Sequence, residues 1–462
     1  MIDPVTAASS RVGWLVVAMA AFSLGAVIDN PMSSVIVTST GLLALVFSLK
    51  KSRFPDFDFH ILGGLLAVVV VLVGNTQVMG RFSLVPGSYR LWFALALVTG
   101  GLTVLSARMP LRKLTVLLAL ATTIVGSLSV LIPNWEPVAS SDVYRAHVAA
   151  GNALIDTKNP YSDAVVFESG DPNKPDRTLV EGYPYPPPVL FTYGLLGAFT
   201  DPRLVSLASW LAIVLGLAVV AAGKRSVAPV ALAVLALTAT MPIWRVALFM
   251  SWTEPLSMAL IAGALVGILR NRRWGWFLLG IAVASKQYLV LLAPVILMHR
   301  DVEGRRPGWV SVATSAVVAG FPALFGLSEY YGSVIGVAAA VGFRPDTQSL
   351  NGAIASLGGE IVLPMIVVIP VLVGLLYALT RMDLPPASLP AAGVATLGVA
   401  LLVTSAFPNY WMLVAILAGF SALFGMSCDD YRRSESPASP SGDVEISIRR
   451  DQVAENAVPR DS

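Results

Sequence analysis

Long apolar runs separated by short polar segments make up most of the chain. A helix needs about 20 apolar residues to cross the hydrocarbon of a bilayer, so these runs are interpreted as membrane helices. They lie near residues 12–29, 32–49, 60–79, 88–107, 114–133, 204–222, 227–248, 255–269, 274–285, 287–299, 309–327, 361–380, 388–406 and 411–426. The pattern predicts an all-α polytopic membrane protein with about fourteen spans.

Basic residues between the runs predict the orientation of the helices, because cytoplasmic loops carry an excess of Lys and Arg. The clusters are Lys50/Lys51/Arg53, Arg108/Arg112/Lys113, Lys224/Arg225, Arg270/Arg272/Arg273, Arg300/Arg305/Arg306, Arg381 and Arg432/Arg433. The later clusters share one side only if the short apolar stretch 186–200 is an interfacial or re-entrant helix. Both termini are then expected in the cytoplasm, and the polar segment from Asn134 to Thr200 outside.

Composition agrees with the membrane interpretation and excludes several kinds of site. Hydrophobic residues make up 56% of the chain and charged residues only 13%, whereas soluble domains carry about 25% charged residues. The single cysteine, Cys428, excludes an intramolecular disulfide framework. With only three histidines and a net charge of +3, neither a His-rich metal site nor a nucleic-acid partner is expected.

The polar segment after the fifth run combines carboxylates, aromatic rings and prolines. Asp142 opens a stretch in which small residues recur at helical spacing, so it is either a helix N-cap or a site residue near the membrane surface. Asn159-Pro160-Tyr161 should end this helix. The stretch "YPYPPP" (183–188) predicts a rigid aromatic wall that is not helical. These elements predict a cleft suited to a sugar, while most other carboxylates of the segment are expected to be solvated.

Asp142, Tyr144, Gly151, Asn159-Pro160-Tyr161 and Tyr185-Pro186-Pro187 follow one another in a fixed order after a membrane run. This order resembles the first outer loop of the GT-C glycosyltransferases, and most closely that of glycosyltransferase family 87. The stretches "FMSWTEPLSMAL" (249–260), "GIAVASKQYLVLLAPVIL" (280–297), "DTQSLNG" (346–352) and "FPNYWML" (407–413) resemble later motifs of the family. The resemblance covers about residues 114–426.

The resemblance also suggests a domain division. Residues 114–426 would form a GT-C-like catalytic membrane domain with an outer loop at 134–203 and interfacial helices. Residues 1–113 would form an N-terminal module of about four spans, which the resemblance does not explain. Residues 427–462 are polar and rich in Ser and Pro, and they are expected to be a disordered cytoplasmic tail.

The resemblance implies a membrane glycosyltransferase that moves a sugar, mannose by family default, from a polyprenyl phosphate to an acceptor hydroxyl. The acceptor would be a glycolipid or a cell-envelope glycan at the outer face of a bacterial inner membrane, and the transfer would invert the anomeric centre. Such a donor needs no nucleotide-binding domain. No GxGxxG or P-loop follows a recognisable strand, and neither a cofactor nor a required metal is expected.

Asp142 is the predicted general base, by resemblance and by position. Lys286 interrupts an apolar hairpin, where an ionisable residue is functional or paired. We predict that it binds the donor phosphate, and the alternatives are snorkelling or an ion pair with Glu254. Further phosphate candidates are Arg344 and Arg245, followed by Arg203. Substrate-binding candidates are Tyr144, His147, Asn159, Tyr161, Tyr183, Tyr185, Trp252, Glu254, Gln287, Tyr288, Gln348, Asn409 and Tyr410.

The role of Glu254 and the function itself have alternatives at this point. Trp252, Thr253 and Glu254 are expected to form the floor of the sugar site. Glu254 is also the one candidate nucleophile if the enzyme retains the anomeric configuration. A non-catalytic subunit that binds lipid-linked sugars is the first alternative function. A secondary transporter is the second, but it predicts internal repeats that the sequence does not show.

Overall fold

The computed structural model describes residues 4–50, 58–82, 86–106, 111–132, 141–169, 178–223, 227–299, 305–322, 326–336, 347–358, 365–381, 386–404 and 406–435. Most of these residues, 82%, are helical. The first helices are α1 (Pro4–Val27), α2 (Pro31–Leu49), α3 (Phe59–Phe82), α4 (Pro86–Leu105), α5 (Leu111–Leu131), α6 (Asp142–Ile155), α7 (Pro187–Val189), α8 (Leu195–Gly197), α9 (Arg203–Ala222) and α10 (Ala228–Thr240).

The second half of the chain continues in the same way. Its helices are α11 (Ile243–Phe249), α12 (Glu254–Leu269), α13 (Arg273–Ala284), α14 (Ala293–Met298), α15 (Gly308–Gly320), α16 (Leu327–Tyr331), α17 (Leu350–Ser356), α18 (Met365–Arg381), α19 (Leu389–Val403) and α20 (Pro408–Glu435). Short 3₁₀ segments cover Gln287–Leu292 and Pro386–Ser388, and π turns cover Leu190–Gly194 and Gly332–Gly336. Helix α20 runs on to Glu435, and residues 436–462 lie outside the described residues.

Two short strands correct the expectation that the chain has no recognisable strand. Strands β1 (Val166–Ser169) and β2 (Thr178–Glu181) pair antiparallel, with Val166 opposite Glu181. Each strand has only four residues, so its alternating pattern is too short to stand out among helical periodicities.

Helix length supports a membrane protein but does not confirm about fourteen spans. Among the described residues, four helices are long and apolar enough to cross a bilayer: Pro31–Leu49, Leu111–Leu131, Arg203–Ala222 and Pro408–Ser427. Several other apolar helices are shorter. Helix α12 has 16 residues, which at 1.5 Å per residue is about 24 Å, less than the roughly 30 Å hydrocarbon core.

A bend divides the span predicted at 227–248. Helices α10 and α11 meet at an angle of 53° at the break between Thr240 and Ile243. Pro242 lies in this break; it has no N–H to donate and its ring clashes with the preceding turn of a helix. If the bent pair is counted as one span, the described residues contain up to five.

Helix α10 is the centre of the core. Every residue from Val230 to Thr240 is buried, as expected for a helix that is apolar on all sides. Helices α1, α3, α4, α5, α9 and α20 all pack against α10. The hydrophobic core therefore includes residues of the N-terminal region as well as of the last helix.

The outer segment packs through a glycine. Helix α6 lies against a mixed helix, Pro187–Gly197, that consists of α7, the π turn Leu190–Gly194 and α8. A Cβ at Gly151 would collide with the Gly194 carbonyl oxygen, so only glycine allows this close approach. The prediction that 183–188 is not helical is confirmed for 183–186 and wrong for the last two residues, because the helix starts at Pro187, where the missing N–H costs nothing.

Candidate active site

Glu254 and Lys286 form a buried ion pair. The distance between Lys286 Nζ and Glu254 Oε1 is 2.8 Å, and the side chains are only 7% and 0% exposed respectively. This is the ion pair considered as an alternative for Lys286. Glu254 is the first residue of α12, where the helix macrodipole stabilises a carboxylate. Lys286 lies at the break between α13 and the 3₁₀ segment.

Neighbouring side chains supply the additional polar contacts that a buried ion pair needs to offset its loss of hydration. The Tyr288 hydroxyl and Asn409 Nδ2 both donate to Glu254 Oε1, at 3.2 Å and 2.8 Å. The Lys286 ammonium lies 5.1 Å from the Tyr185 ring centre and 5.9 Å from that of Tyr288, within cation–π range. Among the described residues, the second oxygen of Glu254, Oε2, has no hydrogen-bond partner. Glu254 thus keeps one buried acceptor for a ligand.

Asp142 lies in the first turn of α6 and is not its N-cap. Ser141 is the cap, and its Oγ accepts a hydrogen bond from the Tyr144 N–H at 3.0 Å. Asp142 Oδ1 accepts one from the Val143 N–H at 2.8 Å, and the residue is half-buried. The charges of both carboxylates, Asp142 and Glu254, act on Tyr185. Burial raises the pKa of Tyr185 well above its ordinary value, and the charges of Asp142 and Glu254 raise it further.

His147 is a fully buried residue of α6 that contacts the aromatic wall. Its Nδ1 lies 2.8 Å from the Tyr183 hydroxyl, and its Nε2 lies 3.3 Å from the Ser251 carbonyl oxygen. Because a carbonyl only accepts, Nε2 carries the proton and the Tyr183 hydroxyl donates to Nδ1. The ring stacks on Tyr193 with centres 4.7 Å apart. Burial lowers the pKa of His147 to about 3, and the nearby charge of Lys286 acts in the same direction; the ring is therefore neutral at pH 7.

This depressed pKa predicts a loss of stability in acid. Below the ordinary histidine pKa of about 6.5, the unfolded chain binds a proton that the folded ring excludes, so stability should fall by up to about 1.4 kcal/mol per pH unit between about pH 6 and pH 3. The groups that face the ring are Tyr183, Tyr185, Tyr193 and Lys286. In purified protein, the melting temperature of the wild type should fall more steeply from pH 7.5 to 4.5 than that of His147→Gln. Parallel curves would contradict this.

The remaining wall residues brace one another. The Tyr161 hydroxyl donates to the Tyr185 carbonyl oxygen at 3.3 Å, and Asn159 Oδ1 accepts from the Tyr161 N–H at 3.0 Å. Gln287 Nε2 donates to the carbonyl oxygens of Pro184 and Val334 at 3.1 Å and 3.2 Å. These predicted substrate residues therefore fix the wall beside Lys286.

Two residues at the start of α20, Asn409 and Tyr410, lie in the same region. The rings of Tyr288 and Tyr410 are 4.7 Å apart, and Asn409 binds Glu254. Gln348 binds the next residue of α20: its carbonyl oxygen accepts from Trp411 Nε1 at 3.0 Å. Its side chain donates to the Ile28 carbonyl oxygen at 2.6 Å. The segment after α1 is thereby joined to the candidate site.

The sequence model of glycosyltransferase family 87 matches residues 183–422, more than half of the chain. The chain belongs to glycosyltransferase family 87. This confirms the family inferred from the outer-loop motifs and makes the protein a glycosyltransferase with an apolar, helical, membrane-type fold. No match was found among curated proteins or solved structures. The family match includes Glu254, Lys286 and Asn409 but begins after α6, so it does not include Asp142.

Two of the arginine candidates in this family 87 protein, Arg245 and Arg203, have protein partners. Arg245 donates from Nη2 to Ser129 Oγ at 2.8 Å, and its guanidinium lies 4.7 Å from the Trp92 ring centre. Arg203 forms a buried pair with Asp201, and its guanidinium lies 5.5 Å from the Tyr144 ring centre. Arg344 lies outside the described residues. Within the described ranges, no three His, Cys, Asp or Glu side chains converge on a metal site, and the absence of a required metal stays a prediction.

An apolar groove with a cavity volume of about 100 Å³ lies between α12, α13, α14, α19 and α20 of the glycosyltransferase. One wall includes Ile261, Leu265 and Ile268. Ile261 follows Glu254 by two helical turns, so the groove begins roughly 10 Å along α12 from the ion pair. Leu292 and Val295, which follow Lys286 in the chain, also line the groove.

Four side chains contact the turn before Glu254, and sequence reasoning missed three of them. Ser141, His147, Tyr193 and Ser206 all hydrogen-bond to backbone oxygens of residues 250–252; of these, only His147 was a site candidate, and as a substrate residue. The contacts join positions that are 46 to 109 residues apart in the chain. No local spacing in the sequence indicates them.

Proposed function

We propose that this family 87 glycosyltransferase transfers mannose from a polyprenyl phosphate to an acceptor hydroxyl at the outer face of the membrane. The acceptor is a glycolipid or a cell-envelope glycan, and the anomeric configuration is inverted. The observation that carries the proposal is the buried Lys286–Glu254 pair, which lies beside an aromatic wall and near one end of an apolar groove.

Lys286 supplies the charge that a departing lipid phosphate needs. Its ammonium has three N–H donors, and the contact with Glu254 uses one of them. The remaining donors are held in a buried, aromatic-lined region, where a fixed cation stabilises developing negative charge better than it does in water. Glu254 Oε2 would accept a hydrogen bond from a sugar hydroxyl, because it is buried and has no partner among the described residues.

Asp142 acts as the general base in this proposal. Its carboxylate takes the proton of the acceptor hydroxyl while the acceptor oxygen forms a bond to the anomeric carbon. The bond between that carbon and the phosphate oxygen breaks, and polyprenyl phosphate leaves towards Lys286. The charges of Asp142 and Glu254 both act on Tyr185, which supports a sugar position between the loop helix and the ion pair.

The groove is the proposed site of the polyprenyl tail, and it offers a test. Gly393 lines the groove, and a Cβ there would lie 3.3 Å from Leu292 Cδ2. Gly393→Leu should fill the groove and raise KM for a long-chain donor by about tenfold, the cost of excluding about two methylene groups. KM for a donor with a two-isoprene chain should not change. The control is Gly216→Leu, where a Cβ meets nothing within 4 Å. An equal KM for long-chain donor in both variants would contradict the tail site.

The proposed reaction is tested in membranes that contain the wild-type protein. Radiolabelled polyprenyl-phosphate mannose is added, and label is sought in glycolipid and glycan fractions. Transfer that depends on the protein supports the proposal. Specific binding of the donor without transfer under any acceptor condition would instead favour a non-catalytic subunit.

A further inference from the structure

The turn directly before Glu254 has an unusual backbone. Ser251 has a φ of 55°, in the left-handed region that residues other than glycine seldom adopt. Such a conformation persists only where the surrounding structure imposes it. Glu254 follows three residues later as the first residue of α12, so the conformation of the turn determines the position of the Glu254 carboxylate.

Side chains from the outer segment and from α9 bind three consecutive carbonyl oxygens of this turn. Ser141 Oγ donates to the Met250 oxygen at 2.7 Å. His147 Nε2 donates to the Ser251 oxygen at 3.3 Å. The Trp252 oxygen accepts from the Tyr193 hydroxyl and from Ser206 Oγ, both at 3.1 Å. The donors come from the start of α6, from α6 itself, from the mixed helix and from α9.

His147 connects this turn to the helix that carries the proposed base. It lies five residues after Asp142 on α6, is fully buried, and binds the strained residue Ser251 directly. The Tyr183 hydroxyl at Nδ1 and the Tyr193 ring hold the imidazole in place. Since both ring nitrogens contact protein groups, the ring acts as a rigid spacer between α6 and the turn.

We propose that His147 is a positioning residue that fixes Asp142 relative to Glu254 and Lys286 by holding the Ser251 carbonyl. This inference rests on the proposed function, because its effect is on the alignment of the base with the bound donor. The donor itself is held by Lys286 and the groove, which belong to α12, α14, the 3₁₀ segment and their neighbours. Loss of the His147 contact should therefore slow transfer more than it weakens donor binding.

The test compares His147→Leu with His147→Gln in purified, reconstituted protein. Glutamine places an N–H donor near the position of Nε2, whereas leucine keeps apolar bulk and loses the donor. Rates are expressed per donor-binding site, so that misfolded protein does not contribute. His147→Leu should lower kcat by about ten- to a hundredfold and change the donor Kd by less than about threefold, and His147→Gln should recover most of the rate.

A second variant keeps the inference testable if His147→Leu does not fold. Tyr183→Phe removes only the hydroxyl that orients the imidazole, and it should lower kcat per site by about three- to tenfold. Unchanged kcat in these variants, an equal loss in donor affinity, or a His147→Gln variant as slow as His147→Leu would overturn the inference while leaving the proposed reaction standing. A wild type that transfers no sugar overturns the proposed function and, with it, this inference.

Discussion

Replacing Asp142 by asparagine should lower kcat for sugar transfer by about 10²- to 10⁴-fold, the usual contribution of a positioned general base. Asparagine keeps the size of the side chain and its hydrogen bond to the Val143 N–H, but it cannot take the proton of the acceptor. Ser141 remains as the helix cap, so the fold of α6 should survive. The donor Kd should stay close to that of the wild type, since Lys286 and the groove are intact.

The matched control for this change is Asp156→Asn at the other end of α6. The Asp156 side chain is 56% exposed and forms a surface pair with Lys158, which contributes little stability. Transfer by Asp156→Asn should equal that of the wild type. If Asp142→Asn keeps more than about a tenth of the wild-type rate, the assignment of the base is wrong, because a general base contributes at least about a hundredfold.

Replacing Lys286 by methionine should abolish detectable donor binding and also destabilise the protein. The buried Glu254 carboxylate loses its charged partner, and breaking one side of a buried pair costs about 3–5 kcal/mol. Donor binding to purified protein and the melting temperature measure the two effects separately. The single variant alone does not distinguish a phosphate-binding lysine from a lysine that only neutralises Glu254.

The double variant Lys286→Met/Glu254→Gln separates these roles. Removing both charges should restore most of the stability, because a neutral pair no longer buries an uncompensated charge. Asn409 and Tyr288 can still donate to the amide oxygen of the new glutamine. Donor binding should remain lost if Lys286 binds the phosphate. Recovery of donor binding and transfer in the double variant would show that the lysine serves only the ion pair.

Several parts of the site follow from short stretches of sequence. Helix α6 begins at Asp142 and ends before Asn159-Pro160, as the small-residue spacing and the proline predict. The break at Lys286 within an apolar hairpin is visible as a lone charge between two short runs. Its pairing with Glu254 was one of two alternatives, because chain spacing cannot show which groups meet when they lie 32 positions apart, roughly the length of one helical hairpin.

Other features depend on contacts that a sequence does not display. The left-handed backbone of Ser251 and the hydrogen bond from His147 to its carbonyl oxygen depend on the folded outer segment. Arg245 resembles Lys286 in the sequence as a charge in an apolar run, yet it packs on Trp92 and Ser129. Helices α1 and α3 also pack against the buried helix α10, a contact that no local pattern indicates, and the domain division at residue 113 stays a prediction.

The central claim is that this family 87 glycosyltransferase takes its sugar from a lipid phosphate. The most direct measurement uses the purified, reconstituted full-length wild type. Sugar transfer from radiolabelled polyprenyl-phosphate mannose is measured in parallel with transfer from radiolabelled GDP-mannose. The account predicts protein-dependent transfer from the lipid donor and none from the nucleotide sugar. Two results would contradict it: transfer from the nucleotide sugar alone, or a protein that transfers sugar from none of the lipid-phosphate sugars when a suitable acceptor is present.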